Sequence, residues 1–518
     1  MRVLRLLSLA AAITVLLFAC GGSDDEAAVL GDDVEPAPVA ETDEPEPADE
    51  PAVRSEPAEE PEPPAEPEVT EPGPAEDPEP HRPTGFSGTV LPIVETSCAR
   101  CHTGDGPGTP HLRMDTVGDL VENRDLVWSA LETYEMPPWP ASDLSVDFDD
   151  DFGLSAEDRE VLMSWASTDP TVDVDEATPV VATHGVRRLQ NVDVEVFGEG
   201  SYDGRQYQAD EYRCFVFDPG FTADTWVTGF EFVPDQTEIV HHAIGYLIPA
   251  AQRGAADALD AAHPDQGGWP CFGGSRLGND EIFLGWAPGQ GPRVFPDGSG
   301  LRMAAGEFIV MQIHYHFEID APADRSVLWL DLVDDDVEEL DEVEVVSFVA
   351  PAEIPCAADE SGPLCDRGAA IANAIDAYGE EGVRADFALS ICGAEVADFA
   401  EMTDGVARAS CDLPARVGGT LVSVLGHEHE LGASFRMTLR PDTPDELVLL
   451  DIPDWRFDWQ LNYRPVDEIR VDPFDMVRIE CSWDRSLRDP DLEPAYVVWA
   501  DGTNDEMCFA TIAVMTDA

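Results

Sequence analysis

The chain has 518 residues and a formal net charge of −77, a length that suits about two to four domains. It contains no Lys, so all 29 basic residues are Arg. That balance excludes nucleic acid as a partner, because phosphate binding needs a basic stripe; it speaks to solubility rather than to fold.

At the N-terminus, Arg2 and Arg5 precede an apolar run from Leu6 to Ala19. The run is short for a spanning helix and has the shape of an export signal. Its end, Leu17-Phe18-Ala19-Cys20, resembles a bacterial lipobox. The resemblance implies removal of residues 1–19 and a lipid on the Cys20 thiol; a plain secretory signal is the alternative. Either way the chain is expected in the cell envelope, at the periplasm or the cell surface, with a lipid anchor as its membrane contact. Disulfides are permitted there. Residues 20–85 are dense in Asp, Glu and Pro, which predicts a disordered, extended tether. The eleven cysteines are 20, 98, 101, 214, 271, 356, 365, 392, 411, 481 and 508. With Cys20 and the closely spaced pair 98/101 set aside, eight remain, which suggests four disulfides out of 105 conceivable pairings.

In "TSCARCH", Cys98-x-x-Cys101-His102 is the c-type haem attachment pattern. Each thiol can add to a haem vinyl group, and His102 can serve as an axial ligand. A redox CxxC or half of a zinc site are the alternatives. A second axial ligand from Met raises the potential relative to His. Met136 in "YEMPPWP" is the first candidate, because its Pro-Pro context makes a rigid extended loop; Met114 and His111 compete with it. Three helical stretches are expected here. "GTVLPIVETSCARCH" brings in the cysteines at a helix end, and "LVENRDLVWSALETY" is amphipathic. "LSAEDREVLMSWAST" carries a Ser155 cap with Asp158 three residues on, and Leu162 and Trp165 on one face. Residues 86–175 resemble a small, all-α class I cytochrome c.

From about residue 180 the pattern becomes short alternating runs, such as "DTWVTGFEFV", "EFIVMQIHYHF" and "MVRIECSW", between Gly, Pro and Asp turns. Apart from 367–378 no long amphipathic helix interrupts it. This predicts antiparallel β-sandwiches, two of them over roughly 340 residues, with a seam near Val349–Pro355. The histidines cluster as His241-His242, as His314 with His316, and as His427 with His429. In a strand, residues i and i+2 face one side, so His427 and His429 can present two imidazoles to one metal with Glu428 turned away. Adjacent His241 and His242 need a strand end or a bulge to do the same. Imidazole-rich sites without acidic partners suit copper or zinc, and a thioether tips the choice to copper.

The ordered set HH, "QIHY", HxH and "EMC" (Met507-Cys508), together with "YRCFVFDPG" and "GGWPCFGG…GWAPGQGP", resembles the copper type II, ascorbate-dependent monooxygenases. That is the family of dopamine β-monooxygenase and peptidylglycine α-hydroxylating monooxygenase. The resemblance spans about 185–515. It implies a mostly β fold with two jelly-roll-like domains, about 180–350 and 351–518, each holding one copper. By position, His241, His242 and His314 match the electron-transfer copper, and His427, His429 and Met507 match the catalytic copper where O2 reacts with a substrate C–H bond. Tyr212 and Gln312 match residues lining the electron-transfer side, while His316 has no matching role. Cys214–Cys271 and Cys481–Cys508 match family disulfides; Cys356–Cys365 and Cys392–Cys411 are paired by proximity alone. Where the peptide-amidating enzymes clamp a carboxylate, this chain has Leu425, Phe509 and Thr511, so the expected substrate is an apolar small molecule. The expected function is copper-dependent hydroxylation. Two electrons would come from ascorbate, from a donor protein or from the fused haem. An electron-transfer or copper-holding lipoprotein without turnover is the alternative.

Overall fold

The computed structural model describes residues 85–517 apart from 150, 168–171, 186, 199, 203–209, 265–266, 272–273, 279–280, 318–322, 334–338, 380–381, 400–401 and 403, with backbone only at 210, 281 and 316. The expected export signal, Cys20, the expected tether up to residue 84 and the His316 side chain lie outside what is described. Among the described residues, no helix is long and apolar enough to cross a membrane.

The first part is helical. Val90–Ser97 and Ala99–His102 bring Cys98, Cys101 and His102 together, and Val117–Glu122 and Arg124–Glu132 break at Asn123. Ala156–Ser167 completes the set. Its cap forms as the sequence predicts: the Ser155 hydroxyl accepts from the Asp158 N–H at 3.1 Å and donates to the Asp158 carboxylate at 2.9 Å. Leu162 and Trp165 bury against Phe86, Val94 and Leu120 in one small core.

The remainder is mostly β, in several antiparallel sheets. In a five-stranded sheet, Phe308–His316 lies between Asp210–Phe217 and Val240–Ile248. Its residues enter two different cores: Ile309, Met311 and Ile313 on one side, Phe308 and Val310 on the other. That two-sided burial is why the strand reads as a continuous apolar run. A second, nine-stranded sheet runs through both halves of the β region. Asp341–Ala350 pairs in parallel with Ser299–Met303 and antiparallel with Cys508–Thr516, which in turn pairs with Gly419–His427. A four-stranded sheet, Val406–Pro414, Met476–Asp484, Gly432–Leu439 and Leu447–Ile452, covers the second core. Helix Arg367–Tyr378 forms as expected; Arg253–Ala261 and Ala385–Cys392 are two further, short helices.

Four disulfides close the β region: Cys214–Cys271, Cys356–Cys365, Cys392–Cys411 and Cys481–Cys508. Cys98 and Cys101 are free thiols. The loop that follows the helical Cys98-x-x-Cys101-His102 segment, residues 139–149, is packed onto the second β core. Phe148 packs tilted and Trp139 edge-on against Tyr463, with centroids 4.9 and 5.2 Å away, Val146 N–H bonds the Val448 carbonyl, and Arg464 pairs with Asp149. The helical part is therefore fixed against the β part, with its cysteine pair facing inward.

Candidate metal centres

His241 and His242 meet at a β-bulge. The register between Val240–Ile248 and Phe308–His316 shifts between Val240 and His242, the irregularity that two adjacent imidazoles need to share a side. His314 lies opposite His242 in the ladder. The Nδ1 atoms converge: His242 Nδ1 is 3.3 Å from that of His241 and 3.4 Å from that of His314. Ligand atoms of the three imidazoles all lie within 4.8 Å of one another, a grouping able to hold a metal ion. His241 Nε2 meets Asp458 Oδ1 at 2.9 Å, and a carboxylate there orients the ring and leaves Nδ1 for a metal. Burial, then the neighbouring imidazoles, hold His242 well below the ordinary imidazole range, so it stays neutral and its lone pair available. Tyr212 stacks on His314 with centroids 4.1 Å apart and planes at 3°. Gln312 does not reach the imidazoles through its amide nitrogen; Nε2 donates to the Cys271 carbonyl at 2.7 Å and ties the strand to the disulfide-bonded segment.

His427 is the last residue of Gly419–His427, and His429 falls just beyond the strand. The i, i+2 relation survives that exit: the two rings lie 5.0 Å apart at 81°. Both Nδ1 atoms are engaged, His427 with Gln460 Oε1 and His429 with the Asp505 carbonyl at 3.1 Å, which turns both Nε2 atoms to the same use. Burial pushes His427 down to about 4 and His429 to about 3. Glu428, between them, is fully buried beside Glu506. Met507 follows Glu506, whose carboxylate accepts from the N–H groups of His429 (2.8 Å), Leu431 (2.6 Å) and Met507 (3.2 Å). This one buried side chain ties the histidine segment to the methionine segment, and Cys481–Cys508 pins the latter. Met507, His427 and His429 line one cavity of about 810 Å³ together with His242, Tyr212, Gln312, Leu425, Phe509 and Thr511.

A second cavity, about 1440 Å³, is lined by Cys98, Cys101, His102, Met136, Met114 and His111 at one end and by His241 and His314 at the other. Its size and donor set fit a haem. His102 Nδ1 bonds the Leu112 carbonyl at 2.7 Å, which leaves Nε2 as the ring atom able to serve a metal, and a Cβ at Gly108 would come within 2.8 Å of the His102 ring. Met114 is packed into the helical core, whereas Met136 is not part of it. Tyr212, Trp286, Phe457 and Asp458 line both cavities. The three-imidazole group thus stands in the partition, His241 and His314 facing one cavity and His242 the other.

Sequence reasoning missed Asp458, Gln460, Glu506 and the Asp505 carbonyl. The signal for the first two was the polar pair inside "FDWQ" (457–460), two residues apart and flanked by aromatics.

No family model matches the chain, and no curated protein matches it. Solved structures with a likeness to it include an allantoicase, at 10% identity over 62% of this chain and 84% of that one with a TM-score of 0.15. Oxalate decarboxylase from Bacillus subtilis is another, at 10% identity over 65% and 79% with a TM-score of 0.11. Likenesses at that level carry no argument about this chain.

Proposed function

We propose that the chain is a copper-dependent monooxygenase with two jelly-roll-like copper domains and its own cytochrome c-like electron store, anchored at the cell envelope. The observation that carries this reading is the shared cleft. His242 of the three-imidazole group and the His427, His429 and Met507 group face one cavity. A reaction that takes R–H, O2, two electrons and two protons to R–OH and water needs such a pair of one-electron sites around a substrate space.

His241, His242 and His314 would hold one copper through Nδ1, and His427, His429 and Met507 the other through two Nε2 atoms and a thioether. When bound, the two coppers would supply one-electron chemistry, with the thioether centre favouring Cu(I) and O2. Cys98, Cys101 and His102, with Met136, would hold a haem, which would supply single-electron storage.

The chain's own residues do the rest. Asp458, Gln460 and the Asp505 carbonyl fix the imidazole tautomers. Glu506 sets the spacing between the histidine and methionine segments. Tyr212, stacked on His314 and bonded to Thr503 Oγ1 at 3.1 Å, holds the partition rigid. Leu425 and Phe509 give the cleft an apolar wall that excludes water.

Metal analysis should find two coppers and one haem per chain, and oxygen-18 from O2 should appear in a hydroxylated product. Fewer than two coppers, or oxygen uptake without product, overturns the reading. For the haem, stopped flow should show reoxidation that slows at least tenfold in His314→Ala; an unchanged rate removes the haem from the route.

A further inference from the structure

The cleft contains a cation that no described carboxylate neutralises. Arg293 sits in the short strand Arg293–Val294, paired with Thr225–Val233, and lines the same cavity as His427, His429 and Met507. It is 8% exposed, and its Nη2 is buried with no hydrogen-bond partner. Among the described residues, no carboxylate pairs with it. The face of Phe230 lies 5.8 Å from its Cζ. The charged group that acts on it is another cation, Arg464, already engaged by Asp149 at 2.5 Å. Burial and Arg464 push the guanidinium down to about 10, so it keeps its charge at neutral pH.

A buried, unpaired guanidinium is costly to a fold, and in a chain with 106 acidic residues a carboxylate partner was readily available. Its place in a cleft, with Nη2 buried and unspent, is the signature of a group waiting for a ligand. One guanidinium against one carboxylate balances the charge and uses its planar fork. A phosphate dianion would leave a charge buried, because Arg464 is taken.

The position sets the ligand's shape. Along Cys508–Thr516, Phe509 pairs with His427, Thr511 with Leu425 and Ala513 with Ser423. Arg464 follows Tyr463, whose backbone bonds Val424, so the cationic end lies toward Ser423 and Ala513. The step from Phe509 to Ala513 is four residues, about 13 Å at roughly 3.3 Å each. We propose that Arg293 is the anion-binding residue of this cleft, and that its substrate is an amphipathic monocarboxylate with its apolar body over Leu425, Phe509 and Ala513. This rests on reading the cleft as the substrate site of the His427, His429 and Met507 centre. It refines the purely apolar substrate that the sequence suggests: the family's clamp positions are apolar here, and the acid is taken at the opposite end.

The test uses decanoate and its uncharged amide, decanamide, binding to the full metal-loaded chain without reductant, by calorimetry. The unaltered chain should bind decanoate at least tenfold more tightly than decanamide. Arg293→Met should abolish that preference while leaving decanamide binding unchanged, and Arg293→Lys should keep part of it. Equal binding of the two probes by the unaltered chain, no binding of either, or a preference that survives in Arg293→Met overturns the proposal. Should Arg293→Met fail to fold, Arg293→Lys decides: an undiminished preference refutes the planar fork as its source. No turnover enters the measurement. A monooxygenase that shows no preference for the acid sinks the Arg293 site alone, and decanoate bound by a chain that never hydroxylates sinks the enzyme alone.

Discussion

Two residues of one short segment support two different centres, and this permits a clean separation. Gln460 accepts from His427 Nδ1, while Asp458, two residues earlier, meets His241 Nε2. Gln460→Leu keeps the volume but removes the acceptor, so the His427 N–H loses its partner and the ring its fixed tautomer. An unpaired buried donor costs about 1–3 kcal/mol, which at 1.4 kcal/mol per decade is roughly 5- to 150-fold in affinity; loss of a group behind a metal-bound histidine is typically about 10- to 100-fold. His427 is half-buried, so water can replace part of the bond, and the expected loss is toward the lower end, about tenfold. It should fall on the His427, His429 and Met507 centre alone. Asp458→Asn should do the reverse, and more weakly, because Asp458 is 63% exposed and water competes for His241. Copper titration against a competing chelator, with electron paramagnetic resonance separating the centres, reads both. Loss at both centres in either variant would mean that the segment acts as a general brace, and unchanged affinity in Gln460→Leu would remove the tautomer argument altogether.

Met507→His should retain copper and nearly abolish hydroxylation; full activity would return Met507 to the core it already touches. Glu506→Ala strands three backbone N–H donors, so denaturant unfolding should show a loss of about 3 kcal/mol or more, and a loss under about 1 kcal/mol would mean that water refills the space. Gly108→Ala places a methyl against the His102 ring; the haem-loaded chain should show a shifted potential, and an unaltered potential and spectrum would show that His102 does not bind the iron. In the metal-free chain, burial holds His427 and His429 down to about 4 and 3. Nitrogen-15 spectra should therefore show both rings neutral at pH 5.5, where an exposed imidazole is mostly protonated; an imidazolium there contradicts the burial.

How much of this was legible follows from where each interaction lives in the chain. The β character, the Ser155 cap and the i, i+2 imidazole pair depend on period and near neighbours, and alternation carries them. The need for a bulge at His241-His242 was readable as well, because two adjacent side chains on a regular strand point apart; the register shift at that point meets it. What could not be read is the traffic between segments tens to hundreds of residues apart. Asp458 lies 217 residues from His241, and Gln312 spends its amide on the Cys271 carbonyl. Glu506 looks like one more acid in a run of acids until the fold brings three N–H groups to it. Arg293 is the sharpest case. In sequence it is an Arg between Pro and Val, the kind usually found in solvent. Only burial, together with the absence of any carboxylate beside it among the described residues, changes its meaning. In so acidic a chain such a cation is more informative than any cluster of charge, since folding offered it many partners and placed no described carboxylate beside it.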